Sequence, residues 1–546
     1  MEIKKISEKT WELIKELSRP KRAKWFFLKE TVSKESVLSL LDQIFAAEEP
    51  AILPEMFLWA FSADEEIGQR AAKKIHGMVK KFSGNELLSL DKYFRQRSVY
   101  LPEPPIQWYH LEPKDLERLF KFKEEKISLF GLSSFHPNGY LREKGLIYLG
   151  REDSPKVLPF LLIRLNDWVP EIRRTADELL RYRLNPSLIS DFVDQVEIVD
   201  SLKKCRRKDD SSFFEVFFKT LNCPEGIKAL FAKFEDSNAR VRRGSFKLGL
   251  EITSILPDVE KKCLSSKDPV IRSWGFQSIP PSGFDLATLE SLTRDSFVPI
   301  RRKAIRLLAK SFPEKYEGIY EKALFDRSKS IREDALYNLN KIGVKDVSGK
   351  YRIHIVKNIL NSELPAILGL GETGEQADCE LLIQFAKDFR ARVRKVALFS
   401  ISKLNFSKHE KLFWTALVDR LPSISRTAAR ILSQKRGVLQ AVILLKIFST
   451  VELEHVRKNV LKLVLFLSKW EKLEALLTLL NSDEEKFKVT AKEGIRLWML
   501  GFNKESRELS ETQRHRIDKL LANPSNKVGK GDLEKILFFL PPPKKP

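Results

Sequence analysis

One phrase recurs along the chain, and its repetition limits the possible fold more than any other feature. The plainest copies are DPVIRSWGFQSI at 268–279, DSFVPIRRKAIRLLA at 295–309 and DRSKSIREDALYNL at 326–339. Each sets an acid in a turn, then an aliphatic residue, usually a base, a small residue four after the aliphatic, and another apolar residue four later. On a helix of 3.6 residues per turn, positions 0, 4 and 8 fall within about 80° of arc and form one buried stripe. The small residue at its middle lets a neighbouring helix come close.

Marking each copy by its aliphatic residue gives Ile67, Leu141, Ile172, Val241, Ile271, Ile300, Ile331, Val393, Ile424, Val456 and Phe487. The intervals are 74, 31, 69, 30, 29, 31, 62, 31, 32 and 31 residues. The interval of 62 is two periods and implies a degenerate copy near 364–370. That of 69 implies another, with a small insertion around KKCRRKDDSS at 203–212. The first interval exceeds two periods by about twelve residues, placed in YLPEPPIQWYHLEP at 100–113, whose prolines forbid a continuous helix. About thirteen repeats are implied.

A second amphipathic stretch precedes the marker helix, as in VLPFLLIRL at 157–165, GIKALFAKF at 226–234 and LEALLTLL at 473–480. Each unit therefore reads as helix, turn, helix. No run sustains period-2 alternation, so no sheet is expected. The domain plan is a helical cap over 1–54 with a basic break KRAK at 21–24, a repeat body over 55–500 with an insertion around 83–140, and a second cap over 501–546. That last segment holds two short helices near 512–521 and 533–540 and an extended tail, PPPKKP.

Lys and Arg number 97 against 74 Asp and Glu, a formal charge of +23, which points to an acidic partner. Cys205, Cys223, Cys263 and Cys379 stand far apart without a C-x-x-C pair, so reduced thiols in a cytoplasm fit better than a zinc knuckle or a disulfide framework. The opening MEIKKISEKTWELIKEL is charged and amphipathic, unlike a secretory leader, and apolar runs such as 442–448 are too short to span a bilayer. The seven histidines are never three or four apart. No metal site, cofactor or catalytic residue is expected.

The residue after the marker is basic in nine of eleven copies, and an acid sits five before it in six: Asp167, Asp236, Asp295, Asp326, Asp388 and Asp419. Their joint repetition reads as a structural ladder in which the turn acid caps the second helix and meets an arginine of an adjacent repeat. GLGETG at 369–374 matches a dinucleotide fingerprint, but it follows a helical stretch in repeat register and reads as a helix end and a turn. Trp59, Trp274, Trp414 and Trp498 read as core; Trp108, beside Tyr109 and His110, lies in an insertion that reads as an ordered excursion whose rings need something to pack on, and it is the tryptophan to test as an exposed contact.

The stretch LGREDSPKVLPFLLIRLNDWVPEIRRTADELL at 149–180 carries the unit almost whole: the turn after Leu-Gly, the first helix, then Asp167, Pro170, Ile172, Arg173 and Ala176. It resembles HEAT repeats, specifically the short kind with a period near thirty residues found in phycobilin lyases, over roughly 55–500. The resemblance implies an all-α chain, an α-solenoid whose first helices face outward and whose second helices line a concave groove, and a scaffold used for many tasks.

Positions 2 and 6 after the marker point away from the buried stripe, into that groove. Position 2 supplies Arg174, Arg243, Arg302, Lys395, Arg426 and Lys458, and position 6 supplies Lys247, Arg306, Arg430 and Lys462 beside Lys73. Across both positions bases outnumber acids by eleven to four. The expected function is a monomeric, non-enzymatic scaffold binding an acidic protein or nucleic acid along this groove. A DNA-repair reading rests on likeness to HEAT-like alkylpurine DNA glycosylases, of whose aromatic-rich stretch IRSWGFQSI at 271–279 is a faint echo. A bilin-lyase reading fits less well, because the chain is about twice the usual length of one subunit.

Overall fold

The computed structural model describes residues 3–18, 33–205, 212–357, 363–480, 484–522 and 530–541. The basic cluster at 21–24, residues 206–211 of the second insertion and residues 542–546 of the tail lie outside them. Contacts divide the chain into two compact units, Met1–Gly283 and Phe284–Pro546. Each is an all-α stack of paired helices, and no strand occurs among the described residues.

Every marker residue lies in the first turn of a second helix, as in Pro170–Arg183, Val298–Ser311, Lys329–Lys341, Ala391–Asn405 and Pro422–Gln434. Ten of the eleven are buried and Val241 is half-buried. The residue four later is buried in every copy. Where it is glycine the fit leaves no room: a Cβ on Gly275 would stand 2.4 Å from Cys263 Cβ of the first helix. The long interval after Ile331 holds a complete pair, Val347–Val356 and Glu363–Thr373. There the sequence GLGETG closes the second helix, and Cβ atoms on Gly369 and Gly371 would strike the Tyr351 ring and Ser400 at 2.2 and 2.3 Å. These glycines serve helix packing.

The turn between paired helices is built the same way throughout. In eight copies a turn aspartate accepts the backbone N–H two residues on: Asp64, Asp167, Asp236, Asp268, Asp295, Asp326, Asp388 and Asp419. The arginine after the marker then joins one turn to the next. Arg301 donates to the Asp295 carbonyl at 2.7 Å and, through two nitrogens, to the Asp326 carboxylate at 2.8 and 2.9 Å. Arg142 does the same between the His136 carbonyl and Asp167, and Arg394 reaches Asp419 at 2.8 Å. Arg332 holds the Asp326 carbonyl but turns to Glu372, and Arg457 takes Glu484. The expected ladder is therefore present. Both of its contacts are charge-assisted, which makes them stronger than neutral ones.

One rung of the first unit is fully enclosed. Arg142, Arg164 and Asp167 expose nothing, and Arg164 also meets Asp91, which Arg95 holds as well. Burial pushes the Asp167 carboxyl up, yet Arg164, Arg142 and the Val169 N–H outweigh it, so its pKa lies below the ordinary value.

The Pro-rich insertion is ordered, and its tryptophan packs inward. Trp108 is 1% exposed, its ring 4.3 Å from that of His136 and 6.2 Å from that of Phe94. The chain from Arg97 to Pro113 folds back over the Gly84–Gln96 helix and turns its largest apolar side chain inward. Tyr100 and Tyr109, 5.5 Å apart, face solvent instead. Trp59 and Trp498 are core, whereas Trp274 and Trp414 are half-buried.

Two consequences follow for stability. Asp167→Asn strands two buried guanidinium groups and is expected to lower the free energy of urea unfolding by about 3–5 kcal/mol. Asp388→Asn, whose partner Arg390 is 45% exposed, should change it by under about 1 kcal/mol. Burial, then Arg142, pushes the His136 imidazole down from 6.5 to about 3. Because the folded value is the lower one, the neutral ring's contribution is complete above about pH 6.5 and is lost as pH falls towards 3. His136→Asn, which keeps an acceptor for the Asn138 N–H, should flatten that limb of a stability–pH curve; an unchanged limb would contradict the assignment.

Candidate acidic-partner interface

The exposed face of the second helices is the candidate site. Of the twenty-two side chains at positions 2 and 6, none is buried. The angular assignment from the helical wheel therefore holds, because the stripe at 0, 4 and 8 turns inward and leaves its opposite face to water.

Exposure does not make these cations equivalent. In the first unit all three expected binding residues already hold carboxylates: Arg174 pairs with Glu171 at 3.0 Å, Arg243 with Asp268 at 2.7 Å, and Lys247 with Asp200 at 3.1 Å. The side-chain N–H bonds of Arg243 raise its pKa and help hold the Asp268 carboxyl low against its burial. Lys247 also lies over the Trp274 ring at 5.1 Å, so the aromatic residue of the IRSWGFQSI stretch is covered. An exposed pair such as Arg174–Glu171 is worth under about 1 kcal/mol, but its charges cancel at the range over which a partner is attracted.

The second unit differs. Arg306 donates to Asp334 at 2.5 and 2.7 Å, and Lys458 meets Glu454 at 2.7 Å. Arg302, Lys395, Arg426, Arg430 and Lys462 form no salt bridge among the described residues. Four of these five lie on three successive second helices, Ala391–Asn405, Pro422–Gln434 and Glu454–Val464, which pack one against the next. The Arg430 guanidinium stands 5.6 Å above the ring of Phe399 on the preceding helix, so position 6 of one repeat touches position 6 of another.

The wheel missed Lys403, ten residues after its marker. Its Nζ stands 4.7 Å from the centroid of the same Phe399 ring, and burial lowers its pKa. With Lys329, Arg332, Glu333, Tyr351 and Glu372 it lines a cavity of about 800 Å³. A count carried one turn further along each helix would have found it.

No family model matches the chain, and no curated protein does. Among solved structures, the chain is similar to Kap95p in a study of its binding to RanGDP, at 11% identity and TM-score 0.33 over 84% of this chain and 66% of that one. It is similar to importin beta in an ammonium sulfate condition, at 10% and 0.33 over 94% and 64%, and to a Kap121p mutant, at 11% and 0.30 over 98% and 66%. The chain thus spans about two thirds of the length of each. No helix among the described residues is long and apolar enough to cross a membrane.

The two classes of arginine separate in a stability measurement. Arg426→Ala and Arg430→Ala should each leave the urea midpoint within about 0.5 kcal/mol of the parent. Arg301→Ala, which leaves the buried end of Asp326 without its donor, should cost about 3–5 kcal/mol. Equal losses for both classes would contradict the division.

Proposed function

We propose that this chain is a non-enzymatic HEAT-like scaffold that holds an acidic macromolecule along the exposed face of its second helices, and that the second unit does most of the holding. The observation that carries this reading is the asymmetry of unpaired charge. The first unit has 48 basic against 42 acidic residues, and the second has 49 against 32. Of the formal +23, the second unit thus carries +17. The same unit keeps Arg302, Lys395, Arg426, Arg430 and Lys462, which form no salt bridge among the described residues.

The distribution follows from the ladder. Arginines one past the marker are consumed in joining repeats and offer nothing to a partner, whereas those two and six past it project into water. Where a neighbouring repeat sets an acid beside them, as Asp200 and Asp268 do in the first unit, the face is neutralised. Where none is set, a positive potential remains, and attraction along it is strongest at low salt. Four free thiols suit a cytoplasmic setting.

The DNA-repair alternative rests on the IRSWGFQSI stretch, and there Lys247 covers the Trp274 ring, which supports a binding scaffold over that enzyme.

The reading is tested on immobilised heparin. Arg426→Glu/Arg430→Glu should elute at clearly lower salt than the parent, while Lys261→Glu/Lys267→Glu, the same charge change at exposed sites of the first unit, should shift elution far less. Equal shifts would mean that net charge alone governs retention, and would overturn the assignment of the face.

A further inference from the structure

Resting on that reading, we infer that the acidic partner is a nucleic acid duplex, gripped by its phosphates and without regard to base sequence, across the three second helices between Ala391 and Val464.

The charge of the chain is concentrated there. From Lys387 to Lys462 the sequence has 17 basic and 5 acidic residues, a surplus of twelve, and from Arg420 to Val451 it has no acid at all. Four of the five acids are engaged: Asp388 by Arg390, Asp419 by Arg394, Glu454 by Lys458 and Lys486, and Glu410 by the Trp414 indole N–H. Lys395, Lys403, Arg426, Arg430 and Lys462 project from this stretch with no salt bridge among the described residues.

What else the face offers selects among polyanions. A specific protein interface gains its affinity from a desolvated apolar centre with charges at its rim. Here the centre is missing. Phe399 is the one ring among the cations, and it is half-buried beneath Lys403 and Arg430. The exposed apolar residues of the stretch sit elsewhere: Phe389, Leu421 and Leu453 in the turns, Val442 on a first helix. A surface of cations without sockets suits the densest regular polyanion, a duplex with one charge per about 1.7 Å of axis. It does not suit a single strand, whose binders stack bases on open aromatic rings. Contacts confined to phosphates position a duplex and carry no sequence information.

The test is fluorescence anisotropy of the full chain with labelled 30-base-pair duplexes of two unrelated sequences, each made as DNA and as RNA. A single strand of the same length and labelled poly-L-glutamate are run beside them. Five neutralised phosphates give a slope of log K against log salt near −4.5, so affinity should fall about 500-fold between 50 and 200 mM salt. The two sequences should bind alike and the single strand more weakly. The tighter of the DNA and RNA forms identifies the backbone. Arg426→Ala/Arg430→Ala should reduce the slope by about 2, and Lys261→Ala/Lys267→Ala should leave it unchanged. Matching thermal unfolding curves establish that each variant is folded. Binding of poly-L-glutamate that depends on Arg426 and Arg430, with no duplex binding at 50 mM salt, would overturn the duplex and keep the acidic-partner reading. Binding of neither would overturn both, and preference for one sequence or for the single strand would overturn the phosphate-only grip.

Discussion

The structure depends on an arginine that spans one period. Arg301 touches the carbonyl six residues before it and the carboxylate twenty-five after it, and those two groups belong to equivalent aspartates 31 residues apart. Arg142 spans the same distance between His136 and Asp167. Each turn aspartate has already folded its own turn by accepting a backbone N–H, so the guanidinium joins two finished corners. A unit much longer or shorter would pull one of those contacts apart. The constancy of the interval in the sequence is thus the reach of one side chain added to one helix turn, and where the rung changes partner, from Arg332 to Glu372, the repeat is the degenerate one.

The ladder also separates two uses of one residue type. Arginine at the first position after the marker is fixed by geometry and buried or half-buried. Arginine or lysine at the second and sixth positions faces away from the buried stripe. Its fate is decided by whether an acid of its own helix, as at Arg174 and Lys458, or of a neighbouring one, as at Arg243 and Arg306, stands beside it. Among the described residues the first unit pairs Arg174, Arg243 and Lys247 and leaves Lys73, whereas the second pairs Arg306 and Lys458 and leaves five, so the second unit presents the more cationic face.

Much of this could be read from the sequence, for a physical reason. Burial at positions 0 and 4, the capped turn and the outward angle of positions 2 and 6 are properties of a single helix pair, and a pattern of residue types within thirty positions determines them. The pairing of Lys247 with Asp200, or of Arg306 with Asp334, is a property of how one repeat is rotated on the next. Periodicity carries no record of that rotation. The sequence left Trp108 open for a related reason: prolines announce the absence of a helix and do not say whether the extended chain turns a ring to water or to His136. Lys403 escaped because the count along the helix stopped one turn short.

If position on the helix decides whether a cation builds the fold or meets a partner, then lysine reactivity should follow position. The most direct measurement is acetylation footprinting of the full chain, read by mass spectrometry, with and without heparin. The account predicts that Lys395, Lys403 and Lys462 lose reactivity when heparin is added, while Lys261 and Lys267 keep theirs. Protection spread evenly over both units, or confined to the first helices, would contradict it.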